Sequence, residues 1–176
     1  MAIRPAAPVD GFVVRAARPE DLYGAAVARV ASWRAAFTGL VPQDFLDSMD
    51  PAAIASSWTA SIAAGRSRLY VAAAGDGQIV GYAAVGPERD AKADPTIGEL
   101  YALFLHPDFW GSGAARPLTD AAVADLRAAG CSEVWLWVLV ANARARAFYS
   151  RYGFLETPDR THSSLNNLPE IRLRLQ

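Results

Sequence analysis

The sequence predicts an α/β fold of the α+β kind: a mixed, mostly antiparallel central sheet of six to seven strands with helices on both faces. Three observations carry this. Arg68 to Ala74 and Gln78 to Val85 are strand-like stretches joined by Gly75-Asp76-Gly77, the residues a tight hairpin requires. Glu99 to Leu105 is aromatic and aliphatic with no charge after its first position, as in a strand buried on both faces. A small-residue turn and a helical face, Leu118, Ala122, Leu126 and Ala129, follow it. Glu133 to Val140 repeats the strand-then-helix order, with a helix from about Asn142 to Tyr152.

Taken in order, Phe12 to Ala16 alternates as a first strand. Arg18-Pro19-Glu20-Asp21 opens a helix, since proline is tolerated in a first turn and acids there complement the helix dipole. Leu22, Ala26, Val30 with Arg29 beside it, Trp33 and Phe37 mark one stripe up to the Thr38-Gly39 break, with Trp33 and Phe37 assigned to the core. Val41 to Ala64 reads as two short helices, one after Pro42 and one after Asp50-Pro51, Asp50 being the N-cap. Gly86 to Thr96, with two prolines and five charges, reads as a solvated connection whose Glu88 and Asp90 are loop acids first, and contacts for a cationic ligand as the alternative. Thr157 to Asn167 reads as a polar loop between final strands near Phe154 and over Ile171 to Leu175, with His162 on its surface.

Composition narrows the function classes. A chain of 176 residues, 52% hydrophobic and 20% charged, fits one globular domain over 1–176 and not a disordered segment. A net charge of -1 with no basic run argues against nucleic acid held by bulk electrostatics. No apolar run approaches the roughly 20 residues of a membrane span, and the first ten residues are too short and proline-rich for a signal core, so a cytoplasmic protein with no membrane partner is predicted. The single Cys131, expected to pack at the end of the central helix, excludes an internal disulfide and a cysteine metal cluster. With only His106 and His162, no spacing suggests a metal site, and a Ser-His or Cys-His hydrolase fits badly.

The most informative stretch is the turn after the central strand. His106, Pro107 and Asp108 stop that strand, and Gly111, Ser112, Gly113, Ala114 and Ala115 lead into a helix whose first turn holds Pro117. Orphan N–H groups and the helix dipole at such an end attract anions, and small side chains let a phosphate approach. A dinucleotide fingerprint would need a small residue where Arg116 stands and an acid closing the next strand, and Glu133 to Val140 closes with none. A phosphate-binding loop of the Gly-Lys-Ser/Thr kind would need a lysine that this turn lacks.

Gly113 and Ala115 match the last two fixed positions of Gln/Arg-x-x-Gly-x-Gly/Ala, and Asn142, Ala145, Phe148, Tyr149, Gly153 and Phe154 match Asn-x-x-Ala-x-x-Phe/Leu-Tyr-x-x-x-Gly-Phe. In these two blocks, each preceded by a strand, the chain resembles the GNAT superfamily of acyl-CoA-dependent N-acyltransferases. Trp110 departs from the pattern, standing where the family has Gln or Arg, and a packing or adenine-side role is expected for it. The resemblance implies fourth and fifth strands that splay around a pantetheine arm. Leu103, Phe104 and Leu105 would then offer backbone contacts, Gly111, Ser112, Gly113, Ala114 and Ala115 would cradle phosphate with Trp110 beside the cofactor, and Asn142 would cap its helix or hold the arm. It further implies that the region between first helix and second strand shapes the acceptor site, and it leaves open, beside the core assignment of Trp33 and Phe37, that the end of the first helix lines that site.

The implied reaction is attack of an amine on a thioester. An alkylammonium, with a pKa of about 10.4, needs a base at neutral pH. By the resemblance that base is Glu99, the one acid of the central strand, acting directly, through water, or only as an anchor for the ammonium. Tyr149 is the acid for the departing thiolate, with a backbone N–H near Phe104 stabilising the oxyanion. The resemblance implies an N-acetyltransferase using acetyl-CoA as co-substrate, no metal, and direct transfer in a ternary complex to a small-molecule or peptide amine. A different acyl-CoA donor, a non-catalytic acyl-CoA sensor and a homodimer remain open.

Overall fold

The structure is a computed structural model, and residues 11–89, 94–163 and 167–175 are described. Short-range signals set the first half. β1 (Val13–Ala16) is followed by a single turn of tight helix at Pro19–Asp21, and then α1 (Leu22–Phe37). The Asp21 carboxylate accepts from the Arg18 N–H at 2.7 Å and pairs with Arg15, tying the helix entrance to β1. α2 (Gln43–Ser48) and α3 (Pro51–Ala63) follow, α3 starting where Asp50 accepts from the N–H groups of Ala52 and Ala53. β2 (Arg68–Ala73) and β3 (Ile79–Pro87) form the expected hairpin, whose turn places Gly77 at φ +87°.

β4 (Ile97–Leu105), α4 (Ala115–Ala128), β5 (Glu133–Leu139), α5 (Ala143–Tyr152), β6 (Phe154–His162) and β7 (Pro169–Leu175) complete the chain. Among the described residues the strands make one seven-stranded sheet in the order β1-β2-β3-β4-β5-β7-β6. All its pairings are antiparallel except β4 with β5. One face is closed by α4 and α5 over Leu100, Val134, Leu136, Val138, Ile171 and Leu173. On the other, Leu22 and Ala25 of α1 with Trp58 of α3 cover Leu69, Val71 and Tyr82. Trp33, Phe37, Val41 and Leu46 pack with Leu139 beyond them. Cys131 sits half-buried just past α4, as expected.

Two irregularities position the site. The β4–β5 ladder has only the pairs Ile97↔Glu133, Gly98↔Val134 and Glu99↔Trp135, after which the strands diverge. On β4's other side the register with β3 slips between Ala84↔Ala102 and Val85↔Leu100, leaving Tyr101 as an extra residue.

Two expectations are corrected. Thr157 to His162 belongs to β6, an edge strand paired with β7, rather than to a loop. Its side chains are solvated on both faces, so it carries no alternation that a sequence could display. Glu88 is not a solvated loop acid: it is buried, pairs with Arg172 of β7 and accepts from the Asp94 N–H at 3.0 Å. Asp90 lies outside the described residues.

Candidate active site

The divergence of β4 and β5 opens a cleft whose inner walls are strand edges without a ladder partner. Beyond β4 the chain makes a short 3-10 turn at Pro107–Phe109 and passes Gly111 (φ +81°) and Gly113 (φ +92°) into α4. A left-handed backbone at both glycines turns this segment back over the cleft, a conformation that side chains with a Cβ resist. Across the opening, the Asn142 side-chain oxygen accepts from the Ala145 N–H at 3.1 Å, capping α5. The resulting cavity is about 870 Å³ and brings together Leu103, Phe104, Leu105, Trp110, Gly111, Gly113, Ala115, Asn142 and Tyr149 from the sequence expectation. Ser112 and Ala114 do not line it: Ser112 Oγ accepts from the Ala114 N–H, and Ala114 is fully buried in the core.

Trp110 is a brace. Its indole N–H donates to the Leu105 carbonyl at 3.0 Å, fastening the turn to the end of β4, and the Arg144 guanidinium lies 3.7 Å over its ring. Arg116, Arg144 and Arg151 line the same cavity, a basic rim that the sequence reading passed over because these residues are scattered over two helices. Small residues, a helix start and three guanidiniums suit a long ligand with anionic phosphates.

A second cavity of about 640 Å³ lies on the α1–α3 face of the sheet and shares Phe37, Leu103, Phe104, Asn142, Ala145 and Tyr149 with the first. Tyr149 is therefore a common wall. It is buried against Phe148 and Phe154, and its hydroxyl has no hydrogen bond among the described residues. Burial, reinforced by nearby Tyr82, pushes its hydroxyl far above the usual phenol range, so it holds its proton at neutral pH.

Glu99 is 3% exposed and lines neither cavity. Its carboxylate accepts from the Arg89 backbone N–H at 3.0 Å, Nε at 3.1 Å and Nη2 at 2.5 Å. Arg89 in turn lies 4.3 Å over the Tyr101 ring. Two acids line the second cavity: Glu88, which is paired with Arg172, and Glu170, at the start of β7 opposite Leu139. Burial raises its carboxyl above the ordinary value, Arg89 pulling it back and Glu99 pushing it up. Nothing local in the sequence marked Glu170, since its position depends on the pairing of β7 with β5.

The second cavity is also lined by Arg29 and Trp33 of α1, Trp58 of α3 and Tyr82 of β3. Among the described residues there is no group of three or more His, Cys, Asp or Glu side chains placed to hold a metal ion, and no helix long and apolar enough to cross a membrane.

The sequence profile described as Acetyltransferase (GNAT) family matches residues 29–154. The uncharacterised N-acetyltransferase YuaI of Bacillus subtilis (strain 168) is 29% identical over 161 residues, covering 92% of this chain and 88% of that protein. Aminoglycoside N(6')-acetyltransferase type 1 of Stenotrophomonas maltophilia is 33% identical over 148 residues, covering 82% of this chain and 86% of that protein. The PaiA N-acetyltransferase of Thermoplasma acidophilum, solved in complex with coenzyme A, superposes with a TM-score of 0.74 at 18% identity, covering 94% of this chain and 98% of that one. At that identity the likeness is one of fold.

Proposed function

The chain belongs to the GNAT family of acetyltransferases, and from that premise we propose that residues 1–176 act as a single domain moving an acetyl group from acetyl-CoA to a primary amine by direct attack in a ternary complex. The observation that carries this is the meeting of two cavities at one wall, Phe37, Phe104 and Tyr149. One cavity is basic-rimmed and elongated between splayed strands; the other holds aromatic and charged side chains suited to an acceptor. Acetyl-CoA supplies the thioester carbonyl and a thiolate leaving group.

The chain's residues do the rest. The turn at Gly111 and Gly113, with Arg116 and Arg144, binds the phosphates. Free edges of Leu103, Phe104 and Leu105 hold the arm through backbone groups, one N–H near Phe104 facing the carbonyl oxygen. As nitrogen bonds to the carbonyl carbon and the carbon–sulfur bond breaks, one ammonium proton goes to a carboxylate, Tyr149 gives its hydroxyl proton to sulfur, and the second proton shed by nitrogen restores the Tyr149 hydroxyl.

For the carboxylate, the geometry favours Glu170 over Glu88, the other acid of that cavity, because Glu88 is held by Arg172 and the Asp94 N–H whereas Glu170 has a raised affinity for protons. Glu99, engaged on three sides by Arg89, tunes Glu170 from behind that pair.

Thermal unfolding with and without acetyl-CoA tests the donor half of the proposal. At 100 times its dissociation constant a ligand adds about 2.7 kcal/mol, a visible rise in Tm. Amine-dependent thiol release then tests transfer. Stabilisation with no thiol release for any amine supports the sensor alternative, and absence of stabilisation removes acetyl-CoA as the donor.

A further inference from the structure

Arg29, Trp33 and Phe37 occupy positions i, i+4 and i+8 of α1 and together line the acceptor cavity. Phe37 ends this stripe at the wall shared with the donor cleft, near Leu139 and its strand partner Glu170. Arg29 lies at the other end, about 12 Å away along the axis for eight residues at 1.5 Å each.

Around Arg29 the cavity wall holds polar groups that lack a well-formed hydrogen bond, although Arg29 acts on the Tyr82 hydroxyl beside it. The guanidinium carbon lies 5.9 Å from the ring centres of both Trp33 and Trp58. Arg29 Nε, Trp33 Nε1 and the Tyr82 hydroxyl are all buried without a hydrogen-bond partner, and Arg29 has no ion-pair partner among the described residues. Tyr82 is fully buried, and burial, opposed by Arg29, pushes its hydroxyl up to about 12, so it remains a donor. Three buried polar groups without a well-formed hydrogen bond, beside a guanidinium without an ion pair, are costly to a fold unless an occupant answers them. The occupant that does so is an anion.

We propose that the acceptor is a primary amine that also carries a carboxylate or another anionic group roughly 10 Å from its nitrogen. Its anionic end lies on Arg29, Trp33 and Tyr82, and its amine lies toward Glu170 and Tyr149. This rests on the acetyl-transfer reading and names the substrate class for it. Wholly cationic amines such as polyamines and aminoglycosides are disfavoured, since their charge would meet Arg29 uncompensated.

The test uses the full chain and acetyl-CoA. The acceptors are tripeptides X-Gly-Gly varied at X, each as the free acid and as the C-terminal amide, with spermidine and kanamycin alongside. A tripeptide spans about 10 Å when extended. The expected result is a kcat/KM about tenfold or more higher for acids than for their amides. Arg29→Gln abolishes that preference and Arg29→Lys partly restores it, while both variants keep the stabilisation by acetyl-CoA that certifies a folded donor site. Equal or better use of amides, spermidine or kanamycin overturns the inference. So does an acid preference that survives in Arg29→Gln, or failure of every acid while acetyl-CoA still binds. A wild-type protein indifferent to acetyl-CoA is a different failure, since it removes the acetyl-transfer reading and this inference with it.

Discussion

Arg89 grips Glu99 through its backbone N–H and its guanidinium together, although the Arg89 side chain is 59% exposed and that of Glu99 only 4%. A buried acid is thus answered by a charge that stays in contact with solvent, and both act on Glu170 with opposite signs.

The first prediction follows from those signs. If Glu170 removes the amine proton, kcat/KM falls on the acid side of a limb lying above the ordinary carboxylate value of 4.5. Arg89→Gln, by removing the charge that pulls Glu170 down, moves the limb to higher pH. Glu99→Gln, by removing the charge that pushes it up, moves the limb lower and leaves substantial activity. Glu170→Gln costs about 10²-fold or more and erases the limb. A Glu99→Gln protein without activity at any pH, beside an active Glu170→Gln, would assign the base to Glu99 instead.

Tyr149→Phe keeps the ring packed against Phe148 and Phe154 and removes only the hydroxyl, which bonds nothing in the described structure. Turnover is expected to fall about 10²-fold with little change in stabilisation by acetyl-CoA. Stopped-flow thiol release checks this, and unchanged kcat would end the acid role.

At Gly113 a Cβ would meet nothing within 4 Å, so Gly113→Ala isolates the backbone effect of φ +92°. The left-handed conformation costs a residue with a Cβ about 1–2 kcal/mol. If the turn relaxes to escape that cost, acetyl-CoA affinity weakens by about tenfold, measured by calorimetry.

Five tyrosines, Tyr70, Tyr82, Tyr101, Tyr149 and Tyr152, have hydroxyls raised from 10.0, with burial the largest cause in each. A raised pKa means that the folded chain keeps a proton that the unfolded chain gives up first. Their contribution is complete below pH 10 and declines as pH climbs through the folded values. Denaturant midpoints should therefore drop steeply above pH 10, more than in a Tyr149→Phe,Tyr82→Phe double variant.

Much of the fold was legible because it is locally written. Asp50 and Asn142 cap the helices that follow them, Gly75-Asp76-Gly77 makes its hairpin, and the apolar run of β4 lies at the centre of the sheet. The cleft beside the turn was legible too, because its turn and cap are contiguous blocks. The second cavity was not. Glu170 and Glu88 acquire their surroundings from strands and loops distant in sequence, and Arg29, beside Val30 in its stripe, meets Trp58 and Tyr82 only in the folded chain. β6 escaped notice because a strand solvated on both faces has no hydrophobic period.

The three-pair seam between β4 and β5 gives this sheet four edges rather than two. The outer ones, β1 and β6, are blunted, the first by its length of four residues and the second by a register shift between Glu156 and Arg160 around Pro158. The inner pair cannot be blunted in either way, because its free edges are the walls of the cleft. What would be a liability at the rim of a sheet is, at its centre, the opening that makes a cavity.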